Sequence, residues 1–541
     1  MTDQTRPSAF APFRHRAFVI LWTAALVANT GTWFRDVANG WLMTDLAPSP
    51  TMVALVQAAT TLPVFLLSLP AGALADLLDR RWLLICIQVF MGCVGITLAL
   101  SVTFGLITPW LLLALVFAAG IGTALVGPAW QSIVPELVPR PVLRPAVALN
   151  SLGINIARAI GPAIGGVIVA GAGAALAYWL DAASYILITL ALLWWKRPKR
   201  ASTLPPERFA PAMGTGVRYV LANAGIQKTL FRAAAFFIFG SAYWALLPLI
   251  ARQTLAGDAT LYGALLTSIG AGAVTGAFLL PRLSRTFSAN TIILAGTLLT
   301  AAAMAAIPLV PIPVAAMAGL FLAGGAWIAV LTTLNVTAQT HLPDWVRARG
   351  LAIYITVFFG SMTLGSLIWG RTAEFTGIPT ALLLAAGGSA LIGLLAALVK
   401  VPESEPDLTP SMHWPEPATQ GEIAGERGPV AIEIRYRVRP RNRAAFLTTL
   451  LELSSERRRD GGYGWQVYED TDDPETFIEL FFAPSWLDHL RHHQRVTKAD
   501  ADVQSRVLAF HEGPEPPEVR HWVAAHPADP SPPAESPDAP D

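Results

Sequence analysis

Gly72-Ala73-Leu74-Ala75-Asp76-Leu77-Leu78-Asp79-Arg80-Arg81 is the stretch on which the reading of this chain turns. Apolar runs at 51–75 and 82–104 flank it, each long enough to cross a bilayer as helix, which takes about 20 residues. These ten residues therefore read as a short charged turn between two membrane helices. Gly72 lets two helices approach closely. Asp76, four residues on, shares its face at the helix end, where a carboxylate can take the amides of a neighbouring helix start or pair with an arginine. Asp79, Arg80 and Arg81 complete the turn. A contact of this kind can form when one end of a helical bundle closes and break when it opens, a two-state latch. The plainer reading is a turn whose charges only set topology.

Working outward, similar windows recur through the first 400 residues, at roughly 16–42, 51–75, 82–104, 109–130, 145–169, 174–195, 229–251, 259–280, 290–309, 312–338, 350–371 and 378–399. That predicts twelve spans; losing the turn Val310-Pro311-Ile312-Pro313 would leave eleven. The composition agrees: 53% of residues are hydrophobic and 14% charged, against about 25% charged in a soluble domain. Arg14, His15 and Arg16 resemble the basic flank of a signal peptide, but the apolar run after them is too long, so it reads as a retained first span. Cys86 and Cys93, the two cysteines, share one apolar run, which excludes a disulfide framework or a thiolate metal site.

Loops after the even-numbered spans carry Arg80 and Arg81; Arg140 and Arg144; a run from Lys196 to Lys228; Arg282 and Arg285; and Arg347 and Arg349. Loops after the odd spans offer little beyond Arg252, with Arg371 at a span edge. This alternation places both termini in the cytoplasm. Charge also divides the chain, with net +13 over residues 1–400 and −12 over 401–541.

Gln131–Val138 (Gln-Ser-Ile-Val-Pro-Glu-Leu-Val) lies over Gln339–Val346 (Gln-Thr-His-Leu-Pro-Asp-Trp-Val) at an offset of 208, and Gly161 and Gly166 match Gly365 and Gly370 at 204. The membrane part is thus read as two six-helix halves, 1–195 and 229–400, joined by a basic cytoplasmic linker, 196–228. Two similar halves facing each other supply a central cavity that rocking opens to either side.

Arg35 and Asp36 in the first span, Arg158 in the fifth and Asp181 in the sixth fall within the hydrocarbon. Each costs roughly 2.5–3.5 kcal/mol at a helix centre, so each should face the interior, pair, or snorkel. Arg35 and Asp36 lie near enough to the outer end for Arg35 to snorkel; Arg158 lies mid-span. Asp181 or Asp36, parted from and rejoined with Arg158, would load and release a proton. The alternative is a fixed structural ion pair.

The ten-residue turn resembles the signature loop between helices two and three of the major facilitator superfamily, and the two six-helix halves fit that fold over residues 1–400. The counterpart Gly276–Arg285 keeps the glycine and arginines but has Leu280 where Asp76 sits. Trp33-Phe34-Arg35-Asp36-Val37-Ala38 and Val147–Gly166 resemble the bacterial transmembrane secretion effector branch that includes the enterobactin exporter. Gly161, Pro162, Gly165 and Gly166 resemble the Gly/Pro-rich fifth helix of the superfamily's exporters. The resemblance implies proton-coupled export of a small-molecule substrate such as a drug or siderophore, from the bacterial plasma membrane, with no nucleic acid partner. An importer is the alternative.

Residues 401–429 read as a flexible linker and 526–541 as a disordered tail. Between them, 430–525 alternates as strand, helix, hairpin, a second helix over 485–510 and a last strand, a ferredoxin-like α+β order. An apolar open sheet face favours self-association. The region resembles dimeric α/β-barrel antibiotic-biosynthesis monooxygenases, which implies a pocket from Trp465, Tyr468, Phe477, Trp486 and His489, with His492 and His493 nearby; a transporter fused to a modifying enzyme is therefore the second hypothesis. No cofactor motif stands out, and none is expected. His489 and His493 share a helix face, but no third ligand is evident, so they read as an exposed histidine pair with no metal.

Overall fold

The computed structural model describes residues 8, 10–196, 209–403, 407–409, 411, 423–459 and 461–525, the side chains at 73, 75–77, 140, 209–215, 344, 494, 495 and 499 excepted. The chain forms two compact units: Met1–Phe209, Lys228–Gln339 and Leu351–Glu403 make one, and Ala210–Gln227, Thr340–Gly350 and Ser404–Asp541 the other.

The first unit is helical. Its elements are α1 Arg16–Leu46, α2 Pro50–Leu77, α3 Arg80–Thr103, α4 Pro109–Leu137 and α5 Leu143–Trp194, then α7 Ala224–Leu249, α8 Ala259–Thr286, α9 Ala289–Leu309, α10 Pro313–Thr340, α11 Asp344–Thr376 and α12 Ile378–Ala396, while α6 Phe209–Ala222 and the first turns of α7 and α11 belong to the second unit. Among the described residues, eleven helices are long and apolar enough to cross a membrane. Short loops end in side-chain caps: Ser49, Asp79, Thr108, Asp258 and Ser288 each accept a bond from a first-turn amide, satisfying a donor the helix cannot.

α5 spans 52 residues, a rise of about 78 Å if straight, more than twice the roughly 30 Å hydrocarbon core. Gly173, at φ +81°, interrupts it. A Cβ at Gly161 would lie 2.7 Å from Trp33 Cβ, while Asp181 pairs with Arg35. Trp33 and Arg35 are two residues apart, so the chain must fold back at Gly173, and only glycine takes that backbone angle without strain. Sequence placed two spans here, at 145–169 and 174–195.

The glycine repeat has a matching geometry in each half. Gly161 packs on α1 and Gly166 on α8, where its would-be Cβ meets Gly263 Cα at 2.9 Å; Gly365 packs on α7 at Ile238 and Ser241, and Gly370 on α2 at Ala54. Each glycine helix therefore touches the first helix of its own half and the second helix of the other. Gly72 differs from expectation: no described atom lies within 4 Å of a Cβ built there.

The second unit carries β1 Val430–Arg437, α13 Arg443–Arg459, β2 Tyr463–Glu469, β3 Thr476–Ala483, α14 Trp486–Arg495, α15 Lys498–Leu508 and β4 Glu518–Val523. The sheet order is β2-β3-β1-β4 with antiparallel neighbours, so β1 and β2 run parallel with β3 between them. One face buries Val430, Ile432, Tyr436, Phe477 and Phe481 against Phe446, Leu450 and Val507. On the other face Ile478, Leu480 and Phe482 are half-buried, and Tyr468 and Trp522 are exposed. The single helix expected over 485–510 is two: Val496 is extended, and Thr497 starts α15 with a capping box to Asp500. Linker residues join this unit too, since Tyr219 of α6 meets Trp345 edge-on at 5.6 Å and lies 5.3 Å beneath the Arg459 guanidinium.

Candidate substrate cavity and its charges

Because α5 folds back around α1, a set of polar side chains centred on Arg35 converges inside the first half. Arg35 is 3% exposed, and its Nη1 lies 3.3 Å from Asp181 Oδ2 and donates to Tyr185 Oη at 3.0 Å. Asp36 Oδ1 stands 3.6 Å from Arg35 Nε. Thr32 and Tyr185 hydroxyls meet at 3.1 Å, and Tyr178 donates to Asn39 at 2.9 Å. Asp181 is fully buried, and its Oδ1 has no hydrogen-bond partner among the described residues.

Of the options open to Arg35, it takes the buried and paired one rather than snorkelling outward. α1 runs on to Leu46, leaving Arg35 well inside, where burial demands a counter-charge. The partner sequence assigned to the acids, Arg158, makes no ion pair among the described residues; its place beside Asp181 is taken by Arg35. Two carboxylates thus share one guanidinium, so a single proton makes the cluster neutral.

Arg158 and Asp36 instead line a cavity of about 360 Å³ between the two halves. Trp33, Gln57, Thr60 and Thr61 face it from the first half, and Trp244, Tyr262, Trp327, Phe358 and Phe359 from the second. Its volume falls within the range of small-molecule sites, roughly 300–1,000 Å³. A second cavity of about 340 Å³ shares Leu331, Phe358 and Phe359 with it and runs to Asn335 and Tyr354.

At the opposite end the halves are joined. Arg252 pairs with Asp45 and donates to Thr44 Oγ1 at 2.7 Å. Glu374 accepts from Ser49 Oγ at 2.5 Å and from the Thr51 amide at 3.2 Å, so a carboxylate of α11 caps the start of α2. The Gly166–Gly263 contact lies on the same side. Sequence reasoning did not single out Asp45 or Ser49; the available clue was Arg252, the one basic residue inside these loops apart from Arg371 at a span edge.

Around the opening stretch, the side chain of Asp76 lies outside the described residues. Asp79 caps α3 through the Trp82 amide at 3.0 Å. Arg80 pairs with Glu136 at 3.3 Å, and Arg81 donates to the carbonyls of Leu192 and Leu193 at 3.0 and 2.7 Å, capping the end of α5. Arg232, which sequence reasoning left out, does the same for α12 through Ala396 O at 2.8 Å.

In the C-terminal domain the expected pocket residues part company. Phe477 and Trp486 are core, Tyr468 is exposed, and Trp465 donates to Glu479 at 2.9 Å. Glu479, fully buried, also accepts from Tyr436 at 2.9 Å and Arg457 at 3.3 Å. The void beside Arg457 and His492 measures only about 10 Å³. His489 is not the exposed histidine expected but is 1% exposed. Burial, then His521, His493, His492 and Arg457 around it, push its pKa down to about 2, so the ring is neutral.

Two pseudo-equivalent helical halves around a polar and aromatic cavity, joined at one end, define a membrane transport protein. The transmembrane secretion effector family matches residues 7–528, and the chain belongs to it. It is similar to the staphyloferrin A transporter of Staphylococcus aureus, 26% identical over 367 residues, 66% of this chain and 89% of that one. It is also similar to the multidrug efflux pump Tap of Mycobacterium tuberculosis, 28% identical over 228 residues, 40% of this chain and 53% of that one, so it spans about half of that relative. A POT family transporter crystallised with a thioalcohol-conjugated peptide shares the fold, with a TM-score of 0.60 at 13% identity over 71% of this chain and 96% of that one.

Proposed function

We propose that the protein is a proton-coupled exporter of small amphipathic molecules, of the drug or siderophore kind, working by alternating access in a bacterial plasma membrane. The observation that carries this is the cavity between the halves. Arg158 faces it without an ion-pair partner among the described residues, beside Asp36 and a wall of tryptophans and phenylalanines. Such a surface suits a ligand with an aromatic or apolar body and an anionic group. The acid-rich cluster of Arg35, Asp36 and Asp181 supports proton coupling: it accepts one proton with a gain of neutrality in low dielectric, and Asp36 touches both the cluster and the cavity.

The folding back of α5 supports a count of twelve spans, and the basic loops support cytoplasmic termini. On that orientation the joined end is outer, and the second cavity leads to the cytoplasm. The sheet order supports a ferredoxin-like C-terminal domain, whose half-buried aromatic face suits a second copy. Reconstituted protein in vesicles with an imposed proton gradient tests the main claim. Uphill movement of one of a panel of dyes, antibiotics and siderophores, abolished by a protonophore and weakened for anionic members by Arg158→Ala, is expected. Movement indifferent to the gradient would overturn proton coupling, and accumulation on the cytoplasmic side would overturn export.

A further inference from the structure

α14 brings His489 and His493 onto one face, and the pairing of β4 with β1, Ile432 opposite His521, turns His521 to the helix-covered side of the sheet. One ring nitrogen from each of the three histidines lies within 4.8 Å of the others. His489 Nε2 and His493 Nε2 are 3.2 Å apart, and the His489 and His521 rings are 4.7 Å apart, centroid to centroid. Trp486 walls the group, 5.4 Å from His489 and 6.1 Å from His521. His489, 1% exposed, has an Nδ1 with no hydrogen-bond partner among the described residues.

We propose that His489, His493 and His521 form a binding site for a divalent transition-metal ion of the Zn²⁺ class in the C-terminal domain. Zinc–imidazole bonds of 2.0–2.1 Å place tetrahedral ligand nitrogens about 3.4 Å apart. The helical pair already stands at that spacing, and the widest separation, at most 4.8 Å, has to close by no more than about 1.4 Å to reach it. An all-imidazole set suits Zn²⁺, Cu²⁺, Ni²⁺ or Co²⁺ and not Mg²⁺ or Ca²⁺, which take oxygen. Arg457 is the cation nearest in effect, and Glu479 at 3.3 Å offsets it. Three protein ligands leave a fourth position for water or an exchangeable group, the arrangement of a reactive or sensing site, whereas a purely structural site is closed by four. The signal in sequence was half present: His489 and His493 carry helical spacing, while His521 is 28 residues further on and joins them only through the sheet.

The test uses full-length protein purified in detergent without a histidine tag, stripped with a chelator and titrated with Zn²⁺ alone, then with Co²⁺ as an optical probe. One equivalent of Zn²⁺ and tetrahedral Co²⁺ d–d bands are expected. His493→Gln and His521→Gln should each weaken binding by more than the roughly 10–100-fold that loss of an outer partner costs, whereas His511→Gln should not. X-ray absorption on the zinc-loaded wild type needs no variant and should show imidazole nitrogens at about 2.0–2.1 Å. No stoichiometric binding, an oxygen-only shell, or unchanged affinity in the His493→Gln/His521→Gln double variant would overturn the site and establish the cluster as a histidine–histidine hydrogen bond.

Discussion

Gly166→Ala tests whether the two halves rock about their joined end. A methyl group there would lie 2.8 Å from Ala259 O and 2.9 Å from Gly263 Cα, where carbon contacts are most favourable at about 3.5–4.0 Å. Both obstacles are backbone, so no side chain can swing aside and the helices themselves must part. Overpacking of this kind costs about 1–3 kcal/mol. Because α8 belongs to the opposite half, that cost falls on the conformation in which this end is closed and is relieved when it opens. The closed-to-open ratio should therefore fall roughly 5- to 150-fold. Spin labels at Pro48→Cys and Thr260→Cys, with Cys86 and Cys93 replaced by serine, report the separation of the halves at that end. A new long-distance population is expected in Gly166→Ala. It should be missing in Gly171→Ala, where no described atom lies within 4 Å, and in Gly165→Ala, whose contact at 3.2 Å is with Phe34 of its own half. A distance distribution in Gly166→Ala matching the wild type would refute the reasoning.

Three other outcomes follow from the same geometry. Asp181→Asn removes the closest counter-charge of a buried arginine and should lower stability by about 3–5 kcal/mol, while Asp36→Asn, whose side chain is 36% exposed, should leave thermal unfolding nearly unchanged and remove the proton dependence of transport; equal melting of wild type and Asp181→Asn in detergent would contradict the first part. Glu479→Gln removes the buried carboxylate on which Tyr436, Arg457 and Trp465 converge and should destabilise the C-terminal domain by about 1–3 kcal/mol, read as faster hydrogen exchange across β1 and α13; unchanged protection would show that the carboxylate contributes little. A topology reporter fused after Pro109 should be external and one after Arg200 cytoplasmic, and reversal of either would undo the orientation.

Much of the membrane architecture was legible in the sequence because it depends on local properties. Hydrocarbon length demands apolar runs of a set size, basic loops alternate with them, and the duplicated Gln131–Val138 and Gln339–Val346 segments mark two halves; none of this requires knowing which residues meet. As caps, Ser49 and Asp79 likewise act on their own first turns, although the sequence reading did not single out either as a cap. Pairing was not legible. Arg35, Asp36, Arg158 and Asp181 could be named as costly charges from composition and position, yet the reversal at Gly173 decided that Asp181 meets Arg35 and leaves Arg158 to the cavity. Helical spacing showed that His489 and His493 share a face, whereas His521 reaches them only because β4 pairs with β1, and the same sheet turns Phe477 into core and leaves Tyr468 in water. The physical reason is common to these cases: span length, caps and helix faces follow from neighbours in sequence, but a charge or a ligand is completed by whichever distant segment the tertiary fold sets within about 4 Å of it, where Coulomb and hydrogen-bond energies become large in a low dielectric.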